Sequence, residues 1–451
     1  MRRKTTLRVT AAAAALVALG ATAGCSSGAS SDDDSVELSY WLWDTAQLPG
    51  YQQCADDFHE ANPNITVDIE QYSWDDYWTQ LQTAMSTDSA PDVFTDHVTY
   101  YPQFATQGQL LDISDRVEDA GIDLSQYQSG LADLWVGEDG TSRYGLPKDW
   151  DTVALFYNED LITGAGYTDA DLQDLTWNPD DGGTFEKLIA HLTVDANGVR
   201  GDEEGFDPTN VAVYGLGNDN SGSGFGSTQW AHFALSAGWY YVNQNPWGDE
   251  FYYSDEVFEQ TMAWWTGLID KGYMPSLAVS NSGVSMSEAY AAGKYALLPD
   301  GDWEGKTYST MDGITTKFAP LPVGPSGERA SVINGLSDGI WAGTEHPDEA
   351  FDWVAYLASS ACQDVMAEQA VIFPAISTAT DKAVQAFADA GMDVSAFTSY
   401  LDDDETYLLP IADHWSDVAA IIEPTIESVM NGEADVSAFD EANEEVNALF
   451  Q

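Results

Sequence analysis

From Val36 onward, extended apolar segments alternate with helical ones, a pattern that a layered α/β domain satisfies and few other folds do. Val36–Trp43 is an apolar-rich strand that runs into a loop from Asp44 to Gly50. Tyr51, Cys54, Ala55 and Phe58 then fall at the i, i+3, i+4, i+7 spacing of one helix face, and Asn62-Pro63 ends that helix. Ile65, Val67 and Ile69 alternate with polar residues as in a strand exposed on one face. Trp74, Tyr77, Trp78, Leu81 and Met85 mark a second amphipathic helix, and Asp92-Val93-Phe94 starts another strand.

Further along, Tyr144–Asn158 is one long, mostly extended stretch. A region richer in Gly, Asn and aromatic residues follows it. Helical patterns return at Phe185–Leu192, Trp230–Ala237, Val257–Ile269 and Ser285–Ala292. A second extended stretch, Lys317–Val323, leads into Gly324-Pro325-Ser326-Gly327. The helix expected at Pro347–Leu357 carries its proline where helix starts favour it. The last 70 or so residues read as helices separated by acidic loops, and no short tandem repeat is present.

Ahead of the domain, Arg2, Arg3, Lys4 and Arg8 precede a short apolar run, Ala11–Ala21, and then Thr22-Ala23-Gly24-Cys25. A basic start, a short apolar run and a small-residue end define a secretory signal, here residues 1–24. The closing tetrapeptide resembles a bacterial lipobox, which implies lipidation of Cys25. Residues 25–35, rich in Ser, Gly and Asp, suit a flexible tether. No later segment supplies the roughly 20 apolar residues that a membrane span needs. The expected location is therefore the outer face of the cytoplasmic membrane, with passage across it left to another protein.

The mature chain is long enough for two domains with sizeable cores. Without the four basic signal residues it has 11 Lys and Arg against 75 Asp and Glu, a net charge near −64. That balance excludes a basic nucleic-acid footprint and disfavours anionic ligands. The aromatic content, 12% with 16 Trp and 22 Tyr, argues for packed cores rather than disorder. Cys54 and Cys362 remain after Cys25, and an even pair in an exported chain suggests a disulfide, with two separate buried thiols as the alternative.

Several stretches, in this order, resemble the extracellular solute-binding proteins of family 1, the group that includes maltose-binding protein. One is Phe58–Val67 with Trp74–Trp78 and Ala90–Phe94; another is Tyr144–Asn158. A third, Ala291–Trp303, holds a glycine-lysine step and a Gly-x-Trp turn. A fourth runs from Ala319–Pro325 through Asn334-Gly335 to His346–Ala350. The resemblance implies an α/β, two-lobed periplasmic-binding-protein fold with an interlobe cleft and hinge crossings. It assigns residues 36–145 and 329–376 to one lobe, and 147–328 and 377–451 to the other. The two extended stretches fall where that family has its crossings, and Cys54 and Cys362 both fall in the first lobe.

A sugar offers hydroxyls at its rim and weakly apolar faces, so its site needs aromatic faces beside carboxylates and amides. The resemblance places such residues at the cleft: Trp43 and Asp44 after the first strand, Trp74 at a helix start, and Asp96 and His97 after Val93-Phe94. It adds Trp150 and Asp151 in the first crossing, Trp239 and Tyr240, Asp302 and Trp303 at the Gly-x-Trp turn, and Asn334 and Asp338 at the second crossing. Trp415 completes the set. Trp264-Trp265 reads as packing within a helix. The implied function is capture of a neutral mono- or oligosaccharide by a monomer that delivers it to the transmembrane subunits of an ABC importer, with no chemical step, cofactor or metal.

Two other classes are weighed against this reading. A glycoside hydrolase needs two carboxylates about 5–9.5 Å apart in a sugar cleft, and nothing in the chain matches a hydrolase, zinc, P-loop or Gly-x-Ser-x-Gly motif. A free-standing lectin would carry wall-anchoring or repeated modules. Within the binding class the rival ligand is a polyamine, since aromatic walls with carboxylates also hold amines.

Overall fold

Alternating burial along the first strand follows its sequence: Leu38, Tyr40 and Leu42 point inward while their neighbours are partly exposed. The computed structural model describes residues 35–218, 224–402 and 405–451. The expected signal segment, Cys25 and nearly all of the expected tether lie outside the described residues. Among the described residues no helix is long and apolar enough to cross a membrane.

Among the described residues eleven strands form a mixed sheet: β1 (Val36–Leu42), β2 (Ile65–Gln71), β3 (Val93–His97), β4 (Pro147–Asn158), β5 (Val194–Asp195), β6 (Val211–Leu216), β7 (Tyr295–Gly301), β8 (Thr316–Ala319), β9 (Ser331–Ile340), β10 (Phe373–Pro374) and β11 (Thr406–Leu408). The spatial order is β2-β1-β3-β9-β4-β7-β6-β5, with β8 and β10 on β4 and β11 on β9. β1 pairs in parallel with both β2 and β3. The helices Leu48–Ala61 and Trp74–Ser86 make the intervening crossovers. Each buries the face that its spacing marks: Tyr51, Cys54, Ala55 and Phe58 on the first, Tyr77, Trp78, Leu81 and Met85 on the second.

β4 is the organising strand. All twelve of its residues are buried. Its first half pairs with β9, and its second half, from Val153, pairs with β7 and β8. A strand covered on both faces is normally a continuous apolar run. Here the run contains Lys148, Asp149, Asp151 and Thr152, so polar chemistry is built into the middle of the sheet.

The second extended stretch differs from the sequence reading. Lys317–Val323 contributes part of β8, which pairs with β4. The strand that runs beside β4 and also meets β3 and β11 is β9, Ser331–Ile340. Its glycines and polar residues hide it from strand propensity, but sheet pairing on both sides overrides that preference. The small residues are needed there. A Cβ on Gly335 would lie 2.9 Å from Leu134 Cδ1, and one on Gly339 would lie 2.9 Å from Leu110 Cδ2.

Cys54, on the helix Leu48–Ala61, and Cys362, on the helix Ser360–Glu368, form a disulfide with their Cα atoms 5.3 Å apart. Both are fully buried. The C-terminal region is helical as expected, through Ser377–Asp389, Ser395–Asp402, Trp415–Met430 and Ala438–Ala448. Trp264 and Trp265 are buried within the helix Glu256–Asp270, as packing residues should be.

Candidate functional site

Where the ends of β1 and β3 face β4, β9 and the turn after β7, the structure forms an open-mouthed cavity of about 500 Å³. That volume lies in the range of small-molecule sites. Seven of the residues read from sequence line it: Trp43, Asp44, Trp74, His97, Asp151, Trp303 and Asn334.

Aromatic rings make one wall. Trp43 and Trp74 meet edge to face, with ring centroids 5.1 Å apart, and Trp74 meets His97 in the same manner at 5.6 Å. His97 in turn stacks on Phe225 at 5.9 Å. The His97 Nδ1 lies 2.8 Å from Thr99 Oγ1, and burial pulls the imidazole pKa down to about 3, so the ring is neutral at physiological pH. Trp303 supplies another aromatic face from the turn after β7. Its ring folds back over Gly301, where an added Cβ would lie about 2 Å from three ring carbons. The glycine of the Gly-x-Trp turn is thus what lets the tryptophan reach this position.

Carboxylates make the floor. Asp44 Oδ1 accepts from the Ala46 amide at 2.7 Å, and its Oδ2 accepts from Gln47 Nε2 at 2.9 Å. Burial raises the Asp44 pKa, and these hydrogen bonds pull it back in part. Asp151 on β4 stands opposite Asn334 on β9 in register, so the two side chains share a face of the sheet. Each keeps one buried oxygen without a partner. Burial first, and the Asp302 carboxylate second, hold the Asp151 pKa well above the ordinary carboxylate range. Asp300, Glu304 and Gln47 add further polar groups to the lining. Among the described residues no group of three or more His, Cys, Asp or Glu is arranged to hold a metal ion.

The other seven residues read from sequence do not reach the cavity, and strand alternation explains several of them. Trp150 precedes Asp151 on β4 and points to the opposite side, where its ring stacks on Phe373 at 4.7 Å. Asp96 likewise precedes His97, accepts the His97 amide at 2.9 Å and is fully buried. Asp302 turns under Trp303 and accepts the Thr152 amide at 2.8 Å. Asp338 is paired with Lys148 at 3.1 Å, deep between β9 and β4. Trp239 packs on Phe258 and Tyr241 and donates to the Tyr252 carbonyl at 2.7 Å. Tyr240 donates to the Leu408 carbonyl at 2.8 Å, next to the lining residue Leu409. Trp415 stacks behind Phe225 with centroids 4.0 Å apart, so it backs the wall without forming its surface.

Sequence reasoning missed Phe225, Asp300, Glu304, Tyr308 and Leu336, among others. Glu304 and Tyr308 flank the Trp303 turn and Leu336 lies two residues beyond Asn334 on the same strand face, so their positions were within reach of the motifs. Phe225 sits in an irregular Gly- and Ser-rich stretch, which carries no periodicity to mark it.

The family described as bacterial extracellular solute-binding protein matches residues 53–393, most of the chain. The chain belongs to this family. Its members bind solutes and are not enzymes. The lactose-binding protein of Rhizobium radiobacter is 26% identical over 148 residues, 32% of this chain and 33% of that protein. The chain thus aligns with about a third of that relative. The maltodextrin-binding protein MdxE of Bacillus subtilis is 25% identical over 328 residues, 72% of this chain and 70% of that protein. Among solved structures, the ABC substrate-binding protein Lmo0181 from Listeria monocytogenes, in complex with cycloalternan, superposes with a TM-score of 0.78. That comparison covers 92% of this chain and 99% of the other at 19% identity, and it shows the two-lobed periplasmic-binding-protein fold.

Proposed function

We propose that this protein captures a sugar or short oligosaccharide without anionic groups and hands it to the transmembrane subunits of an ABC importer. The observation that carries the reading is the cavity lined by Trp43, Trp74 and Trp303 together with Asp44, Asp151 and Asn334. Stacked rings cover the apolar faces of a pyranose, and carboxylate and amide groups bond its rim. Relatives named for lactose and maltodextrin binding support the same class of ligand. Among the described residues the cavity lining holds no Lys or Arg, which speaks against phosphorylated or uronic sugars.

In this reading residues 36–145 and 329–376 form one lobe, residues 147–328 and 377–451 form the other, and β4 and β9 carry the chain between them. Ligand bound to one lobe favours closure through the contacts that only the shut form makes. Lipidated Cys25 holds the monomeric protein at the outer face of the membrane.

A thermal-shift screen of the full chain against mono-, di- and oligosaccharides, sugar phosphates and polyamines tests this. A ligand at about a hundredfold over Kd adds roughly 2.7 kcal/mol to the folded state. That corresponds to a rise of several degrees in Tm. A shift with one group of uncharged or amine-bearing sugars supports the reading. A shift confined to polyamines or to sugar phosphates overturns it, as does release of cleaved glycan.

A further inference from the structure

Resting on the sugar-binding reading, the geometry points to a sugar that carries a protonated amine as the preferred ligand of this cavity, with the ammonium group seated at Asp151.

Among the described residues four acids line the cavity, Asp44, Asp151, Asp300 and Glu304, and no lysine or arginine does. Charge imbalance on a surface is ordinary in so acidic a chain, but here it lines a cleft and includes the buried Asp151. Asp151 is only 5% exposed, and its Oδ1 is buried without a hydrogen-bond partner. Behind it stand two further carboxylates. Asp149 lies two residues away on the same face of β4, fully buried with both oxygens unpartnered. Asp302 is buried with Oδ2 unpartnered.

The cation whose charge reaches Asp149 and Asp44 is Lys148. Its ammonium is committed elsewhere: it donates to Tyr40 Oη at 2.7 Å, Thr95 Oγ1 at 2.8 Å and Asp338 Oδ1 at 3.1 Å. It also lies 4.0 Å from the centre of the Tyr51 ring. Among the described residues neither Asp151 nor Asp302 forms an ion pair with a lysine, arginine or histidine. Burial first, and neighbouring carboxylates after it, raise the pKa values of Asp151 and Asp302.

A neutral sugar hydroxyl brings one donor and no charge. An ammonium brings three donors and a positive charge that favours the ionised carboxylate, and Asn334, beside Asp151 across the β4–β9 pair, offers a second acceptor to it. Trp43, Trp74 and Trp303 stay available to cover the ring that carries the amine, and their faces favour a nearby cation. Because burial raises the Asp151 pKa, an ammonium beside it favours the ionised carboxylate, so binding of the amine is coupled to proton release.

The test uses the full chain in calorimetric titrations with three disaccharides of one linkage: cellobiose, diacetylchitobiose and the fully deacetylated glucosamine disaccharide. They differ in bearing a hydroxyl, an acetamido or an ammonium group. Glucosamine and galactosamine serve as single-ring probes, and spermidine as an amine without a sugar ring. The amine sugars are expected to bind roughly tenfold or more tightly than their neutral counterparts. Repeating the titration in buffers of different ionisation enthalpy should reveal release of about one proton with the amine and none with the neutral sugar. Asp151→Asn should bring the amine down to the affinity of its neutral counterpart, and Asp151→Glu should restore part of the preference. If neutral sugars bind and the amine sugars bind no better, or bind without proton release, the inference fails while the sugar-binding reading stands. If spermidine binds as tightly as the amine sugars, or if no amine sugar binds at all, the inference fails as well. Binding of no sugar in the wider screen would instead sink the underlying reading.

Discussion

Replacing Lys148 by methionine removes the positive member of a pair buried where β4 crosses β9. Lys148 and Asp338 are each 2% exposed, and their charged atoms lie 3.1 Å apart. Breaking such a pair from one side costs about 3–5 kcal/mol, because the remaining charge stays buried. Asp338 would keep its hydrogen bonds from Tyr40 at 2.7 Å and Thr95 at 3.3 Å, which soften the loss. The expected cost of Lys148→Met is therefore at the low end, about 3 kcal/mol. Asp149, which burial pushes up to about 7 against the pull of Lys148, would rise further. Urea unfolding at neutral pH, followed by tryptophan fluorescence, measures the loss. The double variant Lys148→Met with Asp338→Leu removes both charges and should return to within about 1 kcal/mol of the parent. A single-variant loss below about 1 kcal/mol, or simple additivity in the double variant, would refute the reasoning.

Three further outcomes are expected. His97 has its pKa lowered to about 3 by burial, so the unfolded chain binds the proton first and stability falls as pH drops from about 6.5 toward 3. His97→Asn should reduce the slope of stability against pH in that window by up to about 1.4 kcal/mol per pH unit, and an unchanged slope would mean that the ring is not held neutral. Gly301→Ala places a methyl about 2 Å from the Trp303 ring, so it should weaken sugar binding by displacing that ring while leaving the circular dichroism spectrum intact. Replacing both Cys54 and Cys362 by alanine opens a loop of 308 residues and should lower stability by roughly 5 kcal/mol on the chain-entropy account, as read by chemical denaturation.

The first crossovers were legible because their apolar residues repeat at clean periods: Tyr51, Cys54, Ala55 and Phe58 face the core where their spacing puts them. β9 was not, since Asn334, Gly335, Ser337 and Gly339 are poor strand formers whose place is fixed by neighbours on both sides. At the site, sequence located the right segments more often than the right side chain. Trp150 beside Asp151, Asp96 beside His97 and Asp302 beside Trp303 are adjacent pairs in which one member reaches the cavity and the other is buried. Which member points inward depends on the register of β4 and β3 within the sheet, and composition does not carry that information. Tryptophans add a second ambiguity. In a chain with 16 of them, Trp239 and Trp415 are as useful to the core as Trp43 and Trp303 are to the cavity.

The most direct test of the central claim is a calorimetric titration of the full chain and of its Trp303→Ala variant with each sugar that shifts the melting temperature. One sugar is expected to bind per chain, with affinity reduced by about 10- to 100-fold in the variant as the stacking face is lost. Binding of equal strength in both proteins would contradict it, because the sugar would then lie outside the cavity that Trp303 lines.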